Sequence, residues 1–260
     1  MASFLWRALA PLQHPRARPV AVPLDDGRVL VAGGHVSIYA PHYEVQAVSA
    51  IEVYDPRHDL WSSGDKLVGR DGKFAGVTGL HWDGATRQWK RMTHLPAPDK
   101  PGSVVLHDGS RLSAGGTKWK GGRPFGKRET AHRDTRLRPR HGRPQPSPLH
   151  EARIDAMLTL LSDGRVLVTG GYQTSLDYSW ETTCRSVGRV EVLDLDEGTI
   201  DDGGMLICAR HDHTAVLLPD GAVLLVGGRR DEGRDLVHVE LGSPRAVKPQ
   251  RQLDGSCRPA

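Results

Sequence analysis

The sequence predicts an all-β protein built from repeated four-stranded units, and three observations point there. An Asp-Gly turn recurs four times, and in each copy a glycine pair begins seven residues after the Asp: DDGRVLVAGG (25–34), HDGSRLSAGG (107–116), SDGRVLVTGG (162–171) and PDGAVLLVGG (219–228). Short apolar runs lead into each turn. A second motif follows some of the glycine pairs, in which a strand ends at an aspartate and a tryptophan stands six residues further on. A repeat of this kind is one supersecondary unit that buries its faces only by stacking on its neighbours.

The elements follow in order. The leading runs VAVPL (20–24), VVL (104–106), MLTLL (157–161) and AVLL (215–218) are rich in Val and Leu and closed by a turn signal. They read as buried strands, too short to be helices. The Asp-Gly then predicts a tight two-residue hairpin, because Gly accepts the positive φ such a turn demands. The flanks keep the same register: Leu12, Leu149 and Leu206 stand 14 residues before the Asp in three copies, and Arg16, Arg153 and Arg210 stand 10 before it. IEVYDPRHDLW (51–61) carries the second motif, LHWDGATRQW (80–89) repeats it with Trp89, and VEVLDLDEGTI (190–200) has Ile200 in the Trp place. One unit therefore holds a strand before the turn, one ending in Gly-Gly, one ending at the aspartate and one carrying the Trp.

This pattern resembles the kelch repeat over roughly residues 5–241. Its marks are the diglycine after a hydrophobic strand and Tyr54 and Trp61 seven apart. The resemblance implies a kelch-type β-propeller, in which each unit is one blade. Gly33, Gly34, Gly115, Gly116, Gly170, Gly171, Gly227 and Gly228 are then structural, since residues without side chains let backbones approach closely. Tyr54, Trp61 and Trp89 are structural too, as aromatics covering the groove between blades.

The spacings between turns are 82, 55 and 57 residues. Two blades of ~45–55 residues do not fit in the first gap, so residues 62–92 are expected to form a reduced blade. The chain opens on Phe4-Leu5-Trp6-Arg7-Ala8-Leu9, which reads as an outer strand without a blade, while the last blade lacks its Trp strand after LVHVEL (236–241). About five blades are expected, one reduced, in a ring that the N-terminal strand closes or that is left incomplete. Residues 1–241 form the propeller, and 242–260 are expected to be a disordered tail.

The net charge of +4 hides an asymmetry. Residues 117–148 hold ten Lys or Arg against Glu129 and Asp134, a local +8, so the remainder carries −4. Lys/Arg clusters attract phosphate, but a solvated, disordered insertion is the expected reading, with a reading-frame slip as a further alternative. No run of 18 apolar residues exists in the sequence, and no membrane span is expected. The opening MASFLWRALAPL lacks a basic leader and a cleavage site, and reads as part of the fold. The compartment is left open. Cys184, Cys208 and Cys257 form no CxxC pair, which offers neither a disulfide framework nor a zinc cluster.

His211 and His213 could ligate copper or zinc as an HxH pair. Kelch-like repeats, however, often pack a His at the position of His213, and Pro19, Pro101 and Ala156 occupy the equivalent places. No metal and no cofactor are expected. The copper radical oxidases similar to galactose oxidase share the Asp-Gly and Gly-Gly pattern, but need a Tyr-His pair where this chain has His211 and Asp212. No G-x-S-x-G, Walker loop or H-E-x-x-H is present.

Recognition by surface loops remains. Segments 35–50 and 172–189 carry Tyr39, Tyr43, Tyr172, Tyr178 and Trp180, residue types over-used at binding sites. The resemblance places them on one propeller face with the turns that hold Arg16, Arg153 and Arg210. Those arginines either ring a pocket for an acidic partner or cap loop carbonyls and pair with recurrent aspartates. The expected function is a non-catalytic binding scaffold, and the alternative is a degenerate relative of galactose-oxidase-like or carbohydrate-binding propellers with a ligand in the central channel. The expected partner is a protein, with an acidic peptide or a carbohydrate as further candidates, and nucleic acid is not expected.

Overall fold

The structure, a computed structural model, describes residues 4–38, 44–64, 80–83, 88–91, 102–120, 127–130, 135–138, 148–176, 182–231 and 235–244. These residues contain strands and turns and no α-helix. The first strand is β1 (Phe4–Ala8). Next come β2 (Val20–Pro23) and β3 (Val29–Ala32), a hairpin of β4 (His35–Ile38) and β5 (Glu44–Ala47), then β6 (Ile51–Asp55) and β7 (Leu60–Ser63). Strands β2-β3-β6-β7 make one antiparallel sheet, blade 1. A two-stranded sheet, blade 2, consists of β8 (Leu80–Asp83) and β9 (Gln88–Arg91).

Blade 3 joins β10 (Ser103–Val105) and β11 (Arg111–Ala114), across the hairpin of β12 (Thr117–Lys120) and β13 (Lys127–Thr130), to β14 (Thr135–Arg138). Blade 4 contains β15 (Met157–Leu160) and β16 (Val166–Thr169), the hairpin of β17 (Tyr172–Leu176) and β18 (Thr182–Ser186), then β19 (Arg189–Asp194) and β20 (Thr199–Met205). Blade 5 holds β21 (Thr214–Leu217), β22 (Val223–Val226) and β23 (Val239–Pro244), with β1 as its outer strand in the order β1-β23-β22-β21. The N-terminal strand thus completes the last blade, as the unpaired aromatic segment predicts.

Three expectations are corrected. The Asp-Gly turn is a three-residue loop: Leu24, Leu106, Leu161 and Leu218 accept from Gly27, Gly109, Gly164 and Gly221 in four-residue turns. Only the glycine has positive φ, and the aspartate carboxylate accepts the amide two residues on, as in Asp26–Arg28 and Asp163–Arg165. A type I turn closed by a left-handed Gly suits both residues better than a turn needing two positive φ values. The basic segment is not a mere insertion, because Thr135–Arg138 pairs with β11, Leu137 opposite Leu112, and Thr117–Lys120 pairs with Lys127–Thr130. The propeller runs past 241, since β23 ends at Pro244; residues 245–260 lie outside the described residues. Cys208 is disulfide-bonded, a single bridge that the odd cysteine count leaves open, and Cys184 is a free thiol.

Blades stack through apolar layers. Val29, Val31 and Tyr54 of blade 1 pack with Leu224, Val226 and Val239 of blade 5, with Leu12 among them. Leu149 stands in the same role between blades 3 and 4, and Leu206 between blades 4 and 5. That burial explains the recurrent leucine, each worth ~1.5–3 kcal/mol when removed from water. Tyr54 and Trp61 stand opposite each other in register, their rings 5.0 Å apart, and the Trp61 indole donates to the Ala10 carbonyl at 2.7 Å. Trp82 and Trp89 keep the same register across β8 and β9, and Leu193 and Ile200 across β19 and β20.

The glycine pairs sit where blades meet. Gly116, Gly171 and Gly228 donate to the carbonyls of Arg153, Arg210 and Arg16 in the next blade, each at 2.9 Å. A Cβ at Gly115, Gly170 or Gly227 would lie 2.2, 2.3 or 2.4 Å from those same oxygens, inside any real contact. Absence of a side chain is what permits the hydrogen bond.

Candidate functional site

The three repeated arginines are buried rather than presented. Arg16, Arg153 and Arg210 have no solvent exposure, and each pairs with a buried glutamate, Glu52, Glu191 and Glu240. The surroundings repeat atom for atom. Each Nη1 donates to the first glycine carbonyl of its blade (Gly33, Gly170, Gly227) at 3.0–3.1 Å. The same nitrogen donates to Ala50, Arg189 and His238, two residues before each glutamate. The glutamates in turn accept backbone amides from Gln13, His150 and Ile207. Burial pulls each guanidinium below its ordinary value, against the raising effect of the paired carboxylate. Charges this deep are tolerated because every guanidinium nitrogen has an acceptor, Nε included, which donates to the His14, Glu151 and Cys208 carbonyls. The arginines therefore clasp loop carbonyls and glutamates inside the blades, and the acidic-partner ring is corrected to an internal strut.

Among the loop aromatics, Tyr172 is half-buried at the start of β17, its ring 4.9 Å from that of His211. Tyr39 and Tyr43 stand in the connection between β4 and β5, and Tyr178 and Trp180 in that between β17 and β18. These four lie outside the described residues. The long segments after the diglycines are β-hairpins rather than plain loops.

Two residues beyond each buried arginine, the structure assembles a polar cluster. Arg18, Asp155 and Asp212 all adopt positive φ (51°, 51° and 54°) without being glycine, a conformation costing ~1–2 kcal/mol per residue. They converge: Arg18 Nε donates to Asp212 Oδ1 at 2.9 Å, and its Nη2 lies 3.9 Å from Asp155 Oδ2. Blades 1, 4 and 5 meet at this point, with the Arg18 side chain 60% exposed. Its pKa is raised, because the hydrogen bond and charge of Asp212 outweigh the lowering effect of burial.

Beside it, Arg229 donates to Asp235 Oδ1 at 3.0 Å, to Ser37 Oγ at 2.7 Å and to His35 Nε2. Asp235 accepts the Ser37 amide and Asp231 the Ser186 amide, so the short blade-5 loop ties down hairpins on both neighbours. Burial, aided by Arg229, lowers the His35 pKa, and burial likewise lowers that of His211. The two histidines of the HxH pair part company: His211 meets Tyr172 and Ser186, while His213 turns inward to Thr169 at 2.9 Å. The buried position implied for His213 is the one found.

Arg18, Asp155 and Arg229 are absent from the residues singled out by sequence, and Asp212 enters there only as a departure from the oxidase pattern. A signal existed, since Arg18, Asp155 and Asp212 follow the recurrent arginine by two positions, but their types differ and only their shared backbone conformation links them.

Comparison with known proteins bears on the fold. A profile described as the Kelch motif matches residues 16–67, the span of blade 1 from its buried arginine past its Trp strand. The repeat is of the kelch type and the fold that of a kelch-type β-propeller. No curated protein matches the chain in sequence. Among solved structures, YjhT is similar at 13% identity and a TM-score of 0.42, covering 93% of this chain and 88% of that one. A fungal alcohol oxidase of the AA5 family, solved with copper, is similar at 18% identity and a TM-score of 0.39. That match covers 94% of this chain and 57% of the oxidase.

Proposed function

We propose that this protein is a non-catalytic binding scaffold that holds a protein partner on the propeller face carrying the β-hairpins. The observation that carries the reading is the convergence of Arg18, Asp155 and Asp212 from three blades beside Tyr172. Three non-glycine residues share a costly backbone conformation at one spot, and such strain gathers where function requires it. An exposed guanidinium held by carboxylates, next to a tyrosine, has the composition of a binding hot spot. Tyr39, Tyr43, Tyr178 and Trp180, which follow β4 and β17 in the chain, are proposed to contribute to the same binding face. The buried arginines contribute rigidity, because Asp231 and Asp235 hold the hairpins to a body that the arginine clasps brace.

The test is capture with defined variants. Wild-type protein is expected to retain one partner stoichiometrically, an Arg18→Ala/Tyr172→Ala variant to lose it at least tenfold, and Arg165→Ala, on an Asp-Gly turn at the other end of the strands, to keep it. Equal retention by all three would refute the assignment of the face.

A further inference from the structure

Blade 5 differs from blades 1 and 4 in two positions of the repeat. Where blade 5 has His213, blades 1 and 4 have Pro19 and Ala156; where it has His238, they have Ala50 and Arg189. Both histidines attend the buried Arg210. The His238 carbonyl accepts from Arg210 Nη1 at 2.8 Å, and His213 precedes β21 three residues beyond the arginine. The His213 ring fills the space over Gly170 of blade 4, where a Cβ would fall 2.6 Å from its Cε1. Its Nε2 meets Thr169 Oγ1, and both His213 Nδ1 and His238 Nδ1 are buried with no hydrogen-bond partner among the described residues. A proton added to either nitrogen would find no acceptor there and a guanidinium nearby.

We propose that blade 5, the sheet that joins β1 to β21, β22 and β23, is an acid-operated latch of the propeller, opened by protonation of His213 and His238 beside Arg210. The charged and titratable groups facing His213 are Arg210 and His211, with neutral Thr169 on β16. Those facing His238 are Arg210, Glu240 and Arg230. Only Glu240 favours the imidazolium, and it is already engaged by Arg210 and by the amides of Ile207 and Cys208. Burial first and then Arg210 hold both pKa values down, that of His213 to about 3.

The sign follows. Both rings are neutral in the closed blade and take protons more readily once it opens, so the closed state is fully favoured above about pH 6.5 and loses ground as pH falls below it. The arginine clasps of blades 1 and 4 have no such buried, unpartnered ring among the described residues: the histidines beside them, His14 and His150, are exposed and stand against Glu52 and Glu191.

Hydrogen exchange on the intact chain, corrected for intrinsic rates, tests the latch. Between pH 7 and 5.5 the opening of β1, β22 and β23 is expected to rise about tenfold through His213 and further through His238, while β3, β6, β16 and β19 stay within about twofold. A His213→Ala/His238→Ala variant, which borrows residues from blades 4 and 1, is expected to lose the selective rise. Should it fail to fold, His238→Ala alone is expected to lower the response measurably. Simultaneous acceleration in all blades, or an acid response that survives these substitutions, would overturn the proposal.

Discussion

The amide of Gly228 donates to the carbonyl of Arg16 at 2.9 Å, and this bond joins the last blade to the first. The same bond recurs between blades 3 and 4 and between blades 4 and 5, always from the second glycine of a pair to a buried arginine. The repeated diglycine and the repeated arginine, ten residues ahead of their turns, are two halves of one inter-blade joint.

Alanine at Gly227 would place a methyl group 2.4 Å from the Arg16 oxygen at a φ of +64°. Gly227→Ala is expected to cost about 2–4 kcal/mol, from strain and the weakened bond. Gly221→Ala meets nothing within 4 Å and pays only for its φ of +83°, about 1 kcal/mol. Urea denaturation of the two variants checks the ranking.

The arginine clasps respond to how they are broken. Glu191→Ala leaves the Arg153 charge buried and is expected to cost about 3–5 kcal/mol, whereas an Arg153→Leu/Glu191→Leu pair recovers part of that loss. A double-variant cycle by chemical denaturation measures the difference. Equal destabilisation by single and double variants would mean that the backbone hydrogen bonds to Gly170 and Arg189, rather than the charge pair, dominate.

Trp6 on β1 donates its indole N–H to Gly203 at 3.1 Å and lies against Gly242. It links blades 4 and 5 as Trp61 links blade 1 to the chain at Ala10. Trp6→Ala is expected to destabilise by about 3–5 kcal/mol, and thermal unfolding followed by circular dichroism reads this out.

Cys184 is exposed, with burial and Asp231 raising its thiol above the ordinary value. Alkylation at neutral pH without reductant is expected to label Cys184 slowly and to spare Cys208. Asp231→Asn should quicken the labelling, as peptide mapping by mass spectrometry would show.

The exposed arginine should behave unlike its buried neighbour two residues earlier. Arg18→Ala is expected to change stability by less than about 1 kcal/mol, as surface ion pairs do, while Arg16→Ala is expected to unfold the protein far more readily. Melting temperatures of the two variants decide this.

Much of the architecture was legible because turns and strands are local. Glycine, Asp-Gly and short continuous apolar runs dictate backbone conformation within a few residues, and four copies remove chance. The outer-strand reading of 4–9 held because an aromatic strand without a blade and a blade without its Trp are complementary defects. Thr135–Arg138 was missed as a blade strand because its one buried-type residue, Leu137, is surrounded by arginines that carry no strand signal. The roles of Arg16, Arg153 and Arg210 were open between surface and interior, since their partners lie 30 to 38 residues away.

From sequence alone came the repeat, the order of strands within a blade and the positions where side chains are forbidden, all set by short-range sterics and hydrophobic spacing. Only the tertiary structure decided which charges are buried, since Glu52, Glu191 and Glu240 find their arginines after the blade has closed. It also decided where Arg18, Asp155 and Asp212 meet. Three different blades supply them, and their proximity depends on how the sheets stack rather than on any spacing along the chain.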